Sequence, residues 1–214
     1  MYRYDVINRF ILERFTVDCN YLEIGVSDPR FCFDLICSNE KTSVDPGIEF
    51  SENPVQFKMT SDSFFDLVNN GQTKFPRNHK WDIIFIDGLH IADQCFRDIR
   101  NALNHTKDNG VILIHDCNPP TWEHAHSIPE FYYNSGGKAW NGTVWKSFYL
   151  MRTLLDFSTY TIDTDCGIGV IDKKYKSIPI KHENVFFDYG KMMNDRKLHL
   201  GLISLEEFML RKIS

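Results

Sequence analysis

The groups best suited to chemistry come at the ends of two apolar runs. Asp87 and His90 close D-I-I-F-I-D-G-L-H (82–90), and His115 and Asp116 close G-V-I-L-I-H-D-C-N (110–118). Two carboxylates offer hard oxygen ligands for a divalent cation or acceptors for a hydroxyl; two imidazoles offer proton transfer near neutral pH. Both runs are short and rich in β-branched residues, like strands covered by helices on both faces. An ionised carboxylate cannot lie unpartnered along such a strand, because its desolvation is too costly. The acids therefore mark where the strands emerge. In an open parallel sheet, ligands bind in the crevice beyond the carboxyl ends, so the pattern predicts that both acids and both histidines meet in one crevice.

The elements that must position them alternate. The pattern predicts a helix over 6–15, a strand over 21–26, and a helix from Asp28-Pro29 (N-cap and first-turn proline) to residue 36. A strand over 42–45 stops at Pro46-Gly47, and a helix follows over 63–68. Next come a strand over 81–86, a helix over 92–104 and a strand over 111–114. Residues 118–142 form a long irregular stretch rich in aromatics, the kind of loop that usually carries function. A helix over 143–157 precedes two strands, 158–163 and 167–172, which close as a hairpin. Ser204-Leu-Glu-Glu207 is a capping box opening a last helix. The expected fold class is α/β, a mostly parallel seven-stranded sheet with a C-terminal antiparallel hairpin. The expected domain is single, over 1–214, with 173–214 docked on it as an extension.

At 214 residues the chain suits one such domain. A net charge of −5 gives no general attraction to nucleic acid. No window has the apolar length of a membrane span and the N-terminus lacks a signal-peptide pattern, so a cytoplasmic location is expected. The six cysteines contain no C-x-x-C pair and read as reduced, buried thiols.

Tyr21-Leu-Glu23-Ile-Gly25-Val-Ser27 puts an acid inside the first strand and a glycine at its turn, where a ligand can approach the backbone. Without G-x-G-x-x-G, a dinucleotide pyrophosphate site has poor support. Asp45, ending the second strand, is placed to accept hydrogen bonds from a ribose diol. The ordered set Y-L-E-I-G-V (21–26), V-D-P (44–46), T-S-D-x-F-F (60–65), I-D-G-L-H (86–90), H-D-C-N-P (115–119) and W-N-G-x-V-W-K (140–146) resembles the class I S-adenosylmethionine-dependent methyltransferases. D-T-D-x-G-x-G-V-I (163–171) and L-I-S-L-E-E-F (202–208) extend the resemblance over nearly the whole chain. Within that class it looks like the group that methylates sugar hydroxyls and accompanies glycosyltransferases, sometimes as a module of a longer polypeptide.

The resemblance implies a Rossmann-like methyltransferase fold and S-adenosylmethionine as cofactor. Glu23 and Gly25 would line its methionine part, Asp45 its ribose, Ser61 and Asp62 its adenine edge, and Ser27 and Asp87 would also lie against it. Catechol-type relatives place a metal-binding Asp after the strand that corresponds to 81–86, a base three residues on, and a second metal-binding Asp after the strand that corresponds to 111–114. By that pattern Asp87 and Asp116 are candidate ligands for Mg²⁺ or Mn²⁺ and His90 is the candidate base. Where that type has an Asn ligand, this chain has Cys117, with Asn118 one further on. His115 reads as a catalytic neighbour or as a packed support for Asp116. Asn118, Trp140, Asn141, Trp145 and Lys146 are candidate contacts for a sugar or glycan acceptor. Thr143 departs from the acid that this group often has there. Three functions stay open: sugar O-methylation, methylation of a phenolic small molecule, and cofactor binding without turnover beside a glycosyltransferase.

Overall fold

The computed structural model describes residues 1–50, 52–129 and 140–213. Its strands are β1 (Asn20–Ile24), β2 (Glu40–Val44), β3 (Trp81–Ile86), β4 (Thr106–Ile114), β5 (Phe157–Ile162), β6 (Ile168–Lys176) and β7 (Leu202–Ile203). Its helices are α1 (Arg3–Arg14), α2 (Ser61–Asn69), α3 (Ala92–His105), α4 (Val144–Leu154), α5 (Tyr189–Asn194), α6 (Arg196–Leu200) and α7 (Leu205–Leu210). One seven-stranded sheet runs β2-β1-β3-β4-β6-β5-β7. The first four strands are parallel, β6 runs antiparallel to β4 and β5, and β7 is parallel to β5. This is the mostly parallel seven-stranded α/β sheet with an antiparallel hairpin that the sequence led us to expect.

Burial follows residue type. All six residues of β3 are buried, so it is a true central strand. Cys95, Ile99 and Ala102 recur at helical spacing along α3 and press on one face of the sheet with Phe64, Phe65 and Phe148. Val6, Ile7, Phe10 and Ile11 of α1 cover the other face with Phe208 of α7. Arg14 clamps α1 to the sheet through a two-pronged ion pair with Asp172 at 2.6 and 2.8 Å.

The register fixes where chemistry can occur. Ile24 lies opposite Val44 and Ile86, and Ile86 opposite Ile114. Four strand ends are therefore level, and the next residues (Gly25, Asp45, Asp87 and His115) emerge along one edge.

Several elements differ from expectation. Residues after Asp28 form two 3-10 turns, Pro29–Phe31 and Phe33–Leu35, because Cys32 breaks the run at φ −146°, ψ −66°. Asp28 does cap the first turn, accepting from the Arg30 N–H at 3.1 Å. The segment before Ser61 contributes only an isolated bridge, Phe57 to Val44. The seventh strand comes instead from the C-terminal tail, as β7. The fourth helix stops at Leu154. Residues 130–139 of the expected acceptor loop lie outside the described residues. No described helix is long and apolar enough to cross a membrane.

Candidate active site

A cleft of about 600 Å³ opens along the level strand ends. Its floor is the tip of β1. Gly25 sits at φ +85°, and a Cβ there would lie 2.1 Å from the carbonyl oxygen of Asp87. The glycine is thus demanded by the neighbouring strand end rather than by ligand approach alone, which corrects the reason expected for it. Glu23 is 2% exposed, and its carboxylate accepts a short hydrogen bond from the Tyr21 hydroxyl. Burial pushes its pKa up to about 8, against the pull of Tyr21. Ser27 is exposed and lines the same cleft.

Asp45 lines the cleft after β2, and its Oδ1 accepts the Gly47 N–H at 2.6 Å. Partial burial raises its pKa. Ser61 opens α2 and donates to Oδ1 of Asp98 at 2.6 Å; Gln94 Nε2 reaches the same oxygen at 3.0 Å. Asp98 had no sequence signal, because it reads as a polar position of an amphipathic helix. It is 1% exposed, faces the cleft, and burial pushes its pKa up to about 6. Asp62 does not join them. Its exposed carboxylate pairs with Arg97 at 3.1 Å, outside the cleft lining, which corrects its expected place at the adenine edge.

The mouth of the cleft gathers Asp87, His90, His115 and Asp116, as their spacing predicted. Asp116 adopts φ +63°, in the left-handed region that is strained for a residue with a Cβ. Asn141 Nδ2 holds its Oδ1 at 2.8 Å. His90 Nε2 lies 3.2 Å from Asp116 and 3.4 Å from Asp87. Its Nδ1 lies 2.6 Å from the Trp140 carbonyl. A carbonyl only accepts, so Nδ1 carries a hydrogen and Nε2 is the atom aimed at the acids. Although burial opposes it, the two carboxylates push the His90 pKa up to about 9.

His115 is 4% exposed, with its nitrogens 3.1–3.5 Å from carboxylates of Asp87, Asp116 and Asp165. Neither nitrogen makes a well-aligned hydrogen bond, so these contacts are of charge with charge. The acids raise its pKa well above the ordinary value against the cost of burial, and His115, with His90 and Arg3, holds that of Asp87 well below its own. Two further residues complete the mouth. Asp165, at φ +43°, sits on the turn between β5 and β6, and Arg3, at the start of α1, bonds both Asp87 and Asp165. Both were missed because their partners are far away in the chain.

The acceptor candidates divide. Trp140 lines the cleft beside the His90 ring, with centroids 5.4 Å apart, and Asn141 reaches Asp116. The other four do not line it, and Asn141 is fully buried. Trp145 is fully buried with Met192 and Leu200, because the apolar face of α4 is claimed by the C-terminal tail. Lys146 lies over the Trp145 ring at 5.8 Å. Asn118 spends its amide on Asp163 at 3.0 Å and Arg196 at 2.6 Å. Cys117 packs beneath the hairpin against Gly169 and offers no ligand to the mouth. Thr143, where an acid was the common alternative, accepts the Ala92 N–H at 2.7 Å and so caps α3.

Asp87, His90 and Asp116 can each aim one ligand atom such that the atoms lie within 4.8 Å of one another. The two carboxylate oxygens fit Mn²⁺, or Mg²⁺ with water completing the shell, and the imidazole nitrogen lies beside them.

Residues 30–117 match the family model of a methyltransferase domain. A sequence comparison with curated proteins finds no match. Among solved structures, the chain is similar to MycE methyltransferase from the mycinamycin biosynthetic pathway in complex with Mg, SAH and mycinamycin VI: 14% identity, TM-score 0.48, covering 84% of this chain and 50% of that one. It is also similar to an O-methyltransferase from Bacillus cereus in complex with SAH: 15% identity, TM-score 0.48, 76% and 78% covered. A third is TomG from Streptomyces achromogenes, an O-methyltransferase of tomaymycin synthesis in complex with SAM: 12% identity, TM-score 0.49, 78% and 79% covered. The chain thus spans half the length of the MycE chain.

Proposed function

We propose that the protein transfers the methyl group of S-adenosylmethionine to a hydroxyl of a sugar or glycan, with a divalent cation at Asp87 and Asp116 and His90 as base. The observation that carries this reading is the placement of His90 Nε2 within 3.4 Å of two carboxylates at the mouth of a cofactor-sized cleft. The methyltransferase match over residues 30–117 supports the cofactor. Along the cleft, Asp45 is placed to accept hydrogen bonds from vicinal hydroxyls. Ser61, Gln94 and Asp98 present hydroxyl, amide and carboxyl groups to a heterocycle. Glu23 offers a carboxyl to a cationic amine.

An alcohol is a poor nucleophile until its proton leaves. A divalent cation held by these acids would supply Lewis-acid polarisation of the acceptor oxygen. The chain's own residues do the rest. Trp140 fixes the His90 ring through its carbonyl, and Asn141 fixes Asp116. Asp87 and Asp116 push the His90 pKa up to about 9, and a cation bound to them would offset that pull and leave Nε2 able to accept the proton.

The ring of Trp140 at the rim suits the apolar face of a sugar. A flat phenolic acceptor also fits beside it, and the experiment separates the two. Incubation of the chain with methyl-labelled cofactor and panels of glycosides and catechols should label glycosides. Labelling of catechols alone would replace the sugar with a phenol, and tight cofactor binding with no labelled acceptor would leave a non-catalytic domain.

A further inference from the structure

The residue that answers the acid cluster most directly comes from the opening turn of α1. One terminal nitrogen of Arg3 bonds Oδ2 of Asp87. Its Nε and backbone N–H bond Oδ2 of Asp165 at 3.1 and 2.7 Å. Oδ1 of Asp87 faces the imidazoles instead, 3.2 Å from His115 and 3.4 Å from His90. Both oxygens of a carboxylate that fits a metal are therefore already occupied by positively charged or positively polarised groups. A guanidinium does not lose its proton in a protein, so it can relieve repulsion from a second cation only by moving away. The turn at Asp165 gives it somewhere to stay. Asp165 and Cys166 both hold left-handed backbone, at φ +43° and +63°, which aims that carboxylate at Arg3.

We propose that Arg3 is a displaceable counter-ion of the centre. It neutralises Asp87 while the acids hold no metal and yields to a divalent cation while remaining tethered to Asp165. It therefore sets how tightly that cation binds. The proposal rests on the metal-assisted reading above and concerns a residue that no motif of the cleft contains. Its physical content is a sign. Arg3 is a positioning residue that weakens metal binding, opposite to the effect of a ligand or of a residue that merely holds a ligand in place.

Binding of Mn²⁺ to the full chain, followed by the paramagnetic resonance of free Mn²⁺, tests this sign in the unsubstituted protein, Arg3→Gln and Arg3→Lys. Removing a like charge from beside a metal ligand should tighten binding of Mn²⁺ by roughly tenfold or more in Arg3→Gln. Arg3→Lys, which keeps the charge, should stay near the parent. Equal or weaker binding by Arg3→Gln overturns the proposal while leaving the metal reading intact. No binding by any of the three proteins overturns both. Should Arg3→Gln fail to fold, the unsubstituted protein decides. Titration with Mg²⁺ should shift the Arg3 guanidinium resonances with the midpoint of binding, and resonances unmoved at saturation overturn the proposal.

Discussion

The mouth and the inner wall of the cleft both carry buried acids, and Asp87 at the mouth is driven in the opposite direction from Glu23 and Asp98 along the wall. At the mouth, Asp87 meets Arg3, His90 and His115, and its pKa is held well below the ordinary range although burial opposes this. Along the inner wall, Glu23 has a tyrosine hydroxyl and Asp98 a serine and an amide as nearest partners. Burial wins there, pushing them up to about 8 and about 6. At Glu23 and Asp98 the few hydrogen bonds from neutral groups do not offset the loss of water, whereas at Asp87 the nearby cations do. One end of the cleft is therefore ionic and suited to a metal and a reacting hydroxyl. The other holds carboxyl groups that titrate within about a unit of neutrality and can exchange protons when a ligand arrives.

The largest effect should come from emptying the ionic end. Exhaustive chelation is expected to abolish turnover, with Mg²⁺ or Mn²⁺ restoring it; full activity in excess chelator would reduce Asp87 and Asp116 to hydrogen-bonding roles. Next, His90→Ala should lower kcat by on the order of 10²–10⁴, the usual cost of losing a general base, while Mn²⁺ affinity stays within a few-fold. A collapse of Mn²⁺ affinity in that variant would make His90 a third ligand. His115→Ala should act on the fold instead. Leaving three acids short of a buried cation costs roughly 3–5 kcal/mol, to be read from urea denaturation at neutral pH, and an unchanged midpoint would break the contrast between the two histidines.

Effects at the inner wall should be smaller and should appear in binding. Asp45→Ala is expected to weaken S-adenosylmethionine by about tenfold or more, the worth of charge-assisted bonds to a diol; equal affinity by calorimetry would move the ribose elsewhere. Glu23 sharpens the comparison through pH. Its pKa is raised on folding, so its contribution to stability is complete below the ordinary value of 4.5 and is lost as pH rises through about 8. Glu23→Gln should therefore gain stability over the parent as pH climbs through that window. At pH 7 the protonated parent should release a proton on binding a cationic amine, and the variant should not. Calorimetry in two buffers of different ionisation enthalpy reads this, and equal release by both proteins would remove Glu23 from the ammonium.

What the sequence revealed and what it hid divide along the same line. The strand ends were legible because four-residue apolar runs that end in Asp or His-Asp have few alternatives, and the level register then brought Asp87, His90, His115 and Asp116 together. Asp45 and Ser61 were legible from their order along the chain. Arg3 was not, since its partner Asp87 lies 84 residues away and a lone arginine in an opening helical turn has no pattern. Asp98 looked like the solvent face of α3, and only the docking of α2 turned it inward. Trp145 and Lys146 follow a motif that does reach the mouth at Trp140 and Asn141, but helical periodicity rotates both away from the cleft. A strand of two residues such as β7 has no periodicity to read at all.

The central claim is that Asp87 and Asp116 hold a cation within reach of His90. Anomalous diffraction from crystals soaked in Mn²⁺ tests it most directly. The structure predicts a strong peak bonded to oxygens of both aspartates at the mouth of the cleft. A peak bound by other residues, or none in crystals whose protein turns over, would contradict it.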